Sequence, residues 1–302
     1  MYRIIQKKAL WFSISAIVCG ASLLALLIWG LRPGIDFTGG SLLEVSYSQA
    51  RPGFQAVEEA LKDVQLKDLK IQPSGDRDYI LRFESIDETQ HQTILSKLQD
   101  IKLDNINDNK LTENRFESIG PTIGVELKNK AIQSIIVVLI CILLYIAYAF
   151  RKVSKPVESW KYGVAAIIAL LHDVIVVSGV FAILGYFAGI EIDSLFVTAL
   201  LTVLGFSVHD TIVTFDRIRE NLFRSRNYDD FEDIINSSVN ETIIRSLNTS
   251  LTTLLALLAI YIFGGESTRY FVLALIIGII TGTYSSIFIA SPIVLLFNNK
   301  NK

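Results

Sequence analysis

The sequence predicts an α-helical polytopic membrane protein with six transmembrane helices and one extracytoplasmic α+β domain between helices one and two. Three observations support this fold class. Hydrophobic residues make up 51% of the 302 residues, and the mean hydropathy is +0.44. Six stretches are long and apolar enough to cross a bilayer, which takes about 20 residues in a helix. Residues 32–130 carry 30 of the 58 charged side chains, as a water-soluble domain would.

The predicted transmembrane segments share a near absence of charge. Four of the six contain no charged side chain, and the other two contain one aspartate each, Asp173 and Asp210. The segments are residues 9–31, 131–150, 162–190, 194–215, 246–265 and 270–299. The first follows a basic N-terminus, but its apolar run is too long for a signal peptide. We therefore interpret it as an uncleaved helix.

Basic side chains are unevenly divided between the two sides of the predicted bundle. Fourteen lie in the termini and loops on one side, whereas the short loops on the other side contain only Arg269. Cytoplasmic loops carry an excess of Lys and Arg, so we expect both termini in the cytoplasm. The predicted organisation is a tail with the first helix (1–31), an extracytoplasmic domain (32–130), a five-helix bundle (131–299) and a cytoplasmic tail (300–302).

The extracytoplasmic domain shows both strand and helix periodicity. Alternating apolar residues indicate strands, and apolar residues three or four positions apart indicate helices. The predicted elements are strand 41–48, helix 54–64, strands 69–72 and 79–83, helix 89–101 and strand 114–119. Pro73-Ser74-Gly75-Asp76 predicts the turn between the two central strands. The order β-α-β-β-α-β is that of the ferredoxin-like fold.

Composition argues against several classes of function. The net charge is −2, so no basic surface indicates a nucleic-acid partner. Both cysteines lie in apolar runs, and the three histidines form no cluster with them, so we expect no metal site. No loop contains a nucleophile–base set or a phosphate-binding motif, so we expect neither an enzyme nor a cofactor.

Asp210 lies inside the fourth predicted transmembrane segment, in the string GFSVHDTIVTF. A carboxylate in the bilayer costs roughly 2.5–3.5 kcal/mol or more. Burial favours the neutral form, which lets the side chain exchange protons. We interpret Asp210 as a proton-transfer residue, with His209 and Thr214 as candidate relay neighbours. The alternative is a structural hydrogen bond between helices.

Asp173 lies in the third predicted segment, in a local string that resembles the one around Asp210. Residues 172–176 match residues 209–213 at four of five positions. If the third and fourth segments are antiparallel neighbours, both acids face one bundle interior. Proton transfer and structural hydrogen bonding remain alternative roles for Asp173. His172 is a third candidate relay neighbour, or a histidine bonded within the bundle.

Arg245 stands at the start of the fifth predicted segment. It is a candidate ion-pair partner for Asp210, which would lower the cost of the buried carboxylate. The alternative is a cytoplasmic positive charge that snorkels to the membrane surface. The apolar residues of the preceding stretch, 231–244, suit an amphipathic helix on the cytoplasmic surface. Small polar residues favour close helix packing, and they occur both directly after Arg245 and at Ser285 and Ser286. The serines and threonines after Arg245 could also line a hydrated path.

The string GIDFTGG follows the first transmembrane segment and precedes the first strand. It contains a candidate domain–membrane junction motif, formed by Gly34, Asp36, Phe37, Gly39 and Gly40. Glycine permits positive φ and close backbone approach where the chain turns into the domain. The simpler interpretation is a tight turn without further function.

Three strings together resemble the bacterial SecF family, part of the resistance-nodulation-division superfamily. They are GIDFTGG, LLHDV in the third segment, and GFSVHDTIVTFDRIREN in the fourth. The resemblance covers nearly the whole chain. It implies proton transfer at Asp210 with Arg245, and Asp173 as a supporting acid. One departure is His209, because family members more often have asparagine there.

The resemblance also implies a function and its partners. The family assists late export of preproteins across the bacterial inner (plasma) membrane, driven by the proton-motive force. The implied partners are a SecD-like subunit, the Sec translocon channel and an unfolded preprotein, with protons as the coupling ion. Two alternatives remain. One is half of a small-molecule or lipid exporter, and the other is a passive membrane scaffold. The predicted outer domain of 99 residues is small for an exporter.

Cysteine labelling tests the predicted orientation. In a background without Cys19 and Cys141, the variant Ser74→Cys should react with an impermeant thiol reagent added from outside. The variant Arg224→Cys should react only after the membrane is opened. The opposite labelling pattern would invert the predicted topology.

Overall fold

The computed structural model describes residues 2–101, 109–151, 157–225 and 231–298. The tail predicted at residues 300–302 lies outside the described residues. The chain divides into two compact units. Residues 33–131 form one of them, and the segments on either side form the other. We call them the α+β unit and the membrane unit.

Helices dominate the described residues. The helices are α1 (Lys8–Ile28), α2 (Ile35–Thr38), α3 (Phe54–Leu61), α4 (Glu88–Gln99), α5 (Pro121–Ala149), α6 (Ser159–Ala188), α7 (Ser194–Arg224), α8 (Phe231–Phe263), α9 (Glu266–Ser285) and α10 (Ser291–Leu296). A π-helical turn, Ser286–Ala290, joins α9 to α10. The strands are β1 (Gly40–Tyr47), β2 (Lys70–Ser74), β3 (Asp78–Phe83) and β4 (Leu111–Ile119).

Within the described residues, six helical segments have the length and hydropathy needed to cross a membrane, which confirms the predicted number. They are α1 with its preceding turn, α5, α6, α7, α8, and the last segment from α9 to α10. The last segment, α6 and α7 are the most buried, whereas α5 and α8 are mostly exposed within this chain. The centre of the membrane unit is therefore formed by the third, fourth and sixth segments.

The predicted surface helix at residues 231–244 is wrong as a separate element. Helix α8 runs without a break from Phe231 to Phe263. Its first half buries Phe231, Ile235 and Val239 in the core of the membrane unit, so its apolar face packs on the chain itself. Its 33 residues span about 50 Å at 1.5 Å per residue. The helix is therefore much longer than the hydrocarbon core, which is about 30 Å thick.

Glycines let the last segment approach α7 closely. A methyl group on Gly278 would lie 2.1 Å from a side-chain carbon of Val203. A methyl group on Gly282 would lie 2.9 Å from the Cβ atom of Ser207. No side chain larger than hydrogen fits at these contacts without a shift, as in other membrane helix pairs built on small residues. The close approach places the end of α9 beside the acidic residues of α6 and α7.

Asparagine side chains attach the N-terminal residues to the first half of α8. The Oδ1 atom of Asn236 accepts hydrogen bonds from the backbone N–H groups of Ile4, at 2.9 Å, and Ile5, at 3.3 Å. The Nδ2 atom of Asn236 donates to the carbonyl of Tyr2 at 3.1 Å. Because Asn236, Ile4 and Ile5 are buried, the first two bonds satisfy backbone N–H groups in the interior of the membrane unit.

The described residues of the α+β unit form a four-stranded sheet in the order β2-β3-β1-β4, with every neighbouring pair antiparallel. Along the chain its elements follow the predicted order β-α-β-β-α-β. Its core contains buried side chains of β1, β3, α3 and α4. Pro73 and Ser74 were expected in a turn, but they belong to β2 and pair with Tyr79 and Asp78. Strand β2 is an edge strand, where a proline without an N–H group is tolerated.

Candidate functional site

The two membrane aspartates are both buried in the interior of the membrane unit. Asp173 on α6 is 0% exposed, and Asp210 on α7 is 8% exposed. Helices α6 and α7 pack against each other and against the last segment. Polar groups buried at such positions need hydrogen-bond partners, because water does not supply them. The partners of each carboxyl group define the site.

Asp173 is held from three helices. Its Oδ2 atom accepts hydrogen bonds from the hydroxyl groups of Ser207 on α7, at 2.7 Å, and Ser285 on α9, at 2.8 Å. Its Oδ1 atom lies 3.1 Å from Nδ1 of the neighbouring His172. The carboxyl group of Asp173 therefore links α6 to both α7 and α9.

Asp210 is held by hydroxyl groups from two other helical elements. Its Oδ2 atom accepts from the hydroxyl of Ser246 on α8 at 2.5 Å. The same oxygen accepts from the hydroxyl of Ser286 in the π-helical turn. Thr214, one turn along α7, donates to the backbone carbonyl of Asp210 at 3.3 Å. The Asp210 carboxyl group thus links α7 to α8 and to the last segment.

The hydroxyl donors were the part of the site that the sequence analysis missed. Ser246, Ser285 and Ser286 were interpreted as residues of close helix packing. In the structure each of them donates to a buried carboxyl group. The available signal was two adjacent serines, Ser285 and Ser286, inside an otherwise apolar segment. That signal does not reveal which acid each serine contacts.

Arg245 does not pair with Asp210 within the described residues. The residue is exposed, whereas the next residue, Ser246, is buried and contacts the carboxyl group. Successive residues on an α-helix are rotated by about 100°, so the two side chains leave α8 in different directions. Since Ser246 reaches Asp210, the Arg245 position lies at nearly the same depth in the membrane unit.

The two histidines next to the acids have different surroundings. His172 is buried, with Nδ1 on Asp173, and its Nε2 atom has no hydrogen-bond partner among the described residues. His209 is exposed on α7, although it adjoins Asp210 in sequence. Of these two histidines, only His172 contacts a membrane aspartate among the described residues.

The glycine motif forms a compact turn at the start of the α+β unit. Ile35–Thr38 form the short helix α2, which contains Asp36 and Phe37 and follows Gly34. Gly39 and Gly40 have positive φ values, +75° and +124°. A methyl group on Gly39 would lie 2.7 Å from the Cα atom of Pro121, the first residue of α5. The motif therefore fixes the beginning of β1 to the beginning of α5.

The remaining histidine, His91, lies in the α+β unit, whereas both membrane aspartates belong to the membrane unit. His91 stacks on Phe116, with ring centroids 3.7 Å apart. Hydrogen bonds from Gln92 and then His91 hold the pKa of Glu88 below its usual value. Within the described ranges, no group of three or more His, Cys, Asp or Glu side chains could hold a metal ion.

Two protein-family models match most of the chain. The model for "Protein export membrane protein SecD/SecF, C-terminal" matches residues 99–300, and the model for the "SecD/SecF GG Motif" matches residues 25–50. The second range contains the glycine turn, and the first contains both buried acids. The fold and these matches define a multi-pass membrane protein of the SecD/SecF class.

Individual relatives narrow the class. The protein translocase subunit SecF of Thermobaculum terrenum is 43% identical, and the match covers 100% of this chain and 95% of the relative. The SecF subunit of Anaerolinea thermophila is 40% identical, over 99% of this chain and 95% of the relative. The chain therefore belongs to the SecF family.

A solved structure shares the architecture. The crystal structure of SecDF from Thermus thermophilus, described as a translocon-associated membrane protein, has a TM-score of 0.82 and 30% identity. The match covers 99% of this chain and 39% of that one. SecDF in a super-membrane-facing form gives a TM-score of 0.62 at 32% identity, over 97% of this chain and 38% of that one.

Alanine substitutions at adjacent positions of α8 test the observed contact. Ser246→Ala removes a buried donor to Asp210 and should lower the free energy of unfolding by about 0.5–2 kcal/mol. Arg245→Ala should leave the stability of the isolated chain unchanged, because Arg245 is exposed. Thermal unfolding in detergent provides the comparison. A larger loss from Arg245→Ala would show that the guanidinium group, and not the serine, holds Asp210.

Proposed function

We propose that this chain is an accessory subunit of the Sec preprotein translocase that uses the proton-motive force to assist late export across the bacterial inner membrane. The observation that carries the proposal is the surroundings of Asp210. This carboxyl group is buried among membrane helices, and its described partners are the hydroxyl groups of Ser246 and Ser286. Membership of the SecF family supplies the transport role.

Hydroxyl partners suit a carboxyl group that gains and loses a proton. A serine hydroxyl donates to an ionised carboxylate, and it can also accept from a protonated carboxyl group. An adjacent arginine would instead favour the ionised form, because guanidinium remains charged. Asp210 is therefore the proton acceptor in this proposal. Asp173, with His172, is the supporting acid.

The electrical driving force is of the right size for such a cycle. One elementary charge that crosses 100 mV changes the free energy by about 2.3 kcal/mol. A protein element with two states separated by a few kcal/mol can be shifted by that amount. Proton binding at Asp210 would shift the helices that its carboxyl group links, namely α7, α8 and the last segment.

The exposed faces of α7 and α8 support a SecD-like partner. Polar side chains are exposed there although both helices are apolar enough to cross the membrane. On α8 they are Arg245, Asn248, Thr249 and Thr252, and on α7 they are Thr198, Thr202 and His209. Exposing polar and charged side chains to lipid costs free energy, so these faces of α7 and α8 fit a protein partner better than hydrocarbon. Arg245 would then contribute to the proton path from the subunit interface.

The α+β unit is, in this proposal, a ferredoxin-like domain outside the cytoplasm, with both chain termini inside. Its sheet order and antiparallel pairing support the fold assignment, and the basic residues on the side of the termini support the orientation. Movement of this domain would help to draw an unfolded preprotein from the Sec channel. Protons are the coupling ion, and no metal or organic cofactor takes part.

Two aspartates on α7 provide a matched test. Asp210→Asn keeps the size of the side chain but removes its titratable proton. It should abolish the proton-gradient-dependent part of preprotein export in membrane vesicles, while insertion and assembly with the SecD-like subunit remain normal. Asp216→Asn should retain export, because Asp216 is exposed and pairs with Arg219 at 2.5 Å.

The outcomes separate the alternatives. Full gradient-dependent export by the Asp210→Asn variant would contradict the proton role and favour a passive scaffold. Failure of that variant to assemble would show that Asp210 is structural. A periplasmic adaptor that co-purifies with the chain in place of translocon subunits would favour an exporter.

A further inference from the structure

Two adjacent serines at the end of the ninth helix each contact a different buried acid. Ser285 donates to Oδ2 of Asp173 at 2.8 Å, and Ser286 donates to Oδ2 of Asp210. Both serines are 0% exposed. One peptide bond therefore separates the donor to the supporting acid from the donor to the proposed proton acceptor.

Each of these hydroxyl groups also has a second acceptor within its own helix. The Oγ atom of Ser285 lies 3.2 Å from the carbonyl oxygen of Gly282, and that of Ser286 lies 3.2 Å from the carbonyl oxygen of Thr283. A hydroxyl group has a single proton to donate. Each serine hydroxyl can therefore donate to its aspartate while that carboxyl group is ionised. When the carboxyl group is protonated, the same hydroxyl can donate to the backbone carbonyl of its own helix instead.

The serines lie where the regular helix changes to a π-helical turn. The turn covers Ser286–Ala290. The hydroxyl of Ser291 donates to the carbonyl of Ser286 at 3.1 Å, five residues back. Short π-helical segments are rare and frequently occur at functional sites. Here the turn begins at the residue that holds Asp210.

Few titratable groups surround the serine pair. Helix α6 contributes Asp173 and His172, and α7 contributes Asp210. Helix α8 contributes hydroxyl groups, since Ser250 contacts Thr283 at 2.5 Å. On α1, the hydroxyl of Ser15 contacts the hydroxyl of Tyr284, and the ring of Trp11 contacts the ring of Phe288. The sequence of α10 contains no titratable residue. His209, which precedes Asp210 on α7, and Arg245, which precedes Ser246 on α8, are titratable or charged but exposed.

We propose that Ser285 and Ser286 are positioning residues that couple proton binding at Asp210 to the hydrogen bond between Asp173 and α9. While Asp173 is ionised, Ser285 holds α9 against α6, and this contact keeps Ser286 in place to donate to ionised Asp210. Loss of either contact weakens the other, because both serines belong to one helix end. This inference rests on the proposed proton role of Asp210.

The coupling has the opposite sign to direct repulsion between the two acids. Like charges disfavour each other, so an ionised Asp173 alone would favour protonation of Asp210. Through the serines, an ionised Asp173 favours ionisation of Asp210. Coupling between sites is also reciprocal, so Asp210 must affect Asp173 to the same extent.

The two donors to Asp173 form a matched pair for the experiment. Ser285→Ala removes the donor on α9, and Ser207→Ala removes the donor on α7, at nearly the same distance from Oδ2. The full chain in lipid bilayers is treated with dicyclohexylcarbodiimide, which modifies protonated carboxyl groups in membranes. Mass spectrometry then gives the pH midpoint of modification at Asp210 for each variant.

Ser285→Ala should raise the midpoint at Asp210 by about one pH unit, a tenfold change in proton affinity, although Ser285 does not contact Asp210. Ser207→Ala should raise that midpoint much less, because Asp173 then loses one donor while Ser285 still joins α9 to Asp173. In the reciprocal experiment, Ser286→Ala should raise the midpoint at Asp173, whereas Ser246→Ala should raise it much less. Thermal unfolding confirms that each variant is folded.

Equal shifts from Ser285→Ala and Ser207→Ala would overturn the inference, because the effect would then depend on the charge of Asp173 alone and not on the serine donor of α9. No shift from Ser285→Ala would overturn it as well. In either case a pH-dependent modification of Asp210 in the unaltered chain would leave the proposed function standing. Absence of that modification at every pH at which the chain is folded would overturn both.

Discussion

The structure of the membrane unit depends on the burial of two carboxyl groups among apolar helices. Each carboxyl group needs hydrogen-bond donors that water does not supply. Asp173 and Asp210 obtain them from four serines on α7, α8 and the last segment. These bonds join α6 and α7 to each other, α6 and α7 to the last segment, and α7 to α8. The donors are hydroxyl groups, which can pair with an ionised or a protonated carboxyl group, and the proposed proton exchange relies on this property.

Several features that look unrelated serve this arrangement. Gly278 and Gly282 allow the last segment to approach α7 closely enough for its serines to reach the acids. The π-helical turn starts at Ser286, at the contact with Asp210. The uninterrupted α8 carries Ser246 in its middle and is attached at its first half to the N-terminal residues through Asn236. In the proposed function, a change in the protonation of Asp210 would therefore act on α7, α8 and the last segment together.

Part of this structure could be predicted from the sequence. The six spans and the order of elements in the α+β unit follow from the period and length of apolar runs. The prediction of a surface helix at 231–244 was wrong, because an apolar helix face has the same sequence pattern whether it contacts lipid or the chain's own core. Its separation from the fifth segment was also wrong, since no glycine or proline interrupts the helix there.

The contacts of the acids could be predicted less well. Arg245 and Ser246 differ by one position, and only the packing of α8 decides which of them faces Asp210. The sequence also does not encode the π-helical turn in a recognisable pattern, so the separate contacts of Ser285 and Ser286 could not be assigned. The positions of the two aspartates inside apolar segments were predictable, because a charge in such a segment is itself unusual.

Infrared titration of Asp210 tests the central claim most directly. A protonated carboxyl group has a C=O stretching band that the ionised form lacks. The purified chain in lipid should show such a band that declines as the pH rises, and the pH-dependent part assigned to Asp210 should be missing from the Asp210→Asn variant. An identical pH-dependent spectrum in the variant would show that Asp210 does not exchange a proton, and would contradict the account.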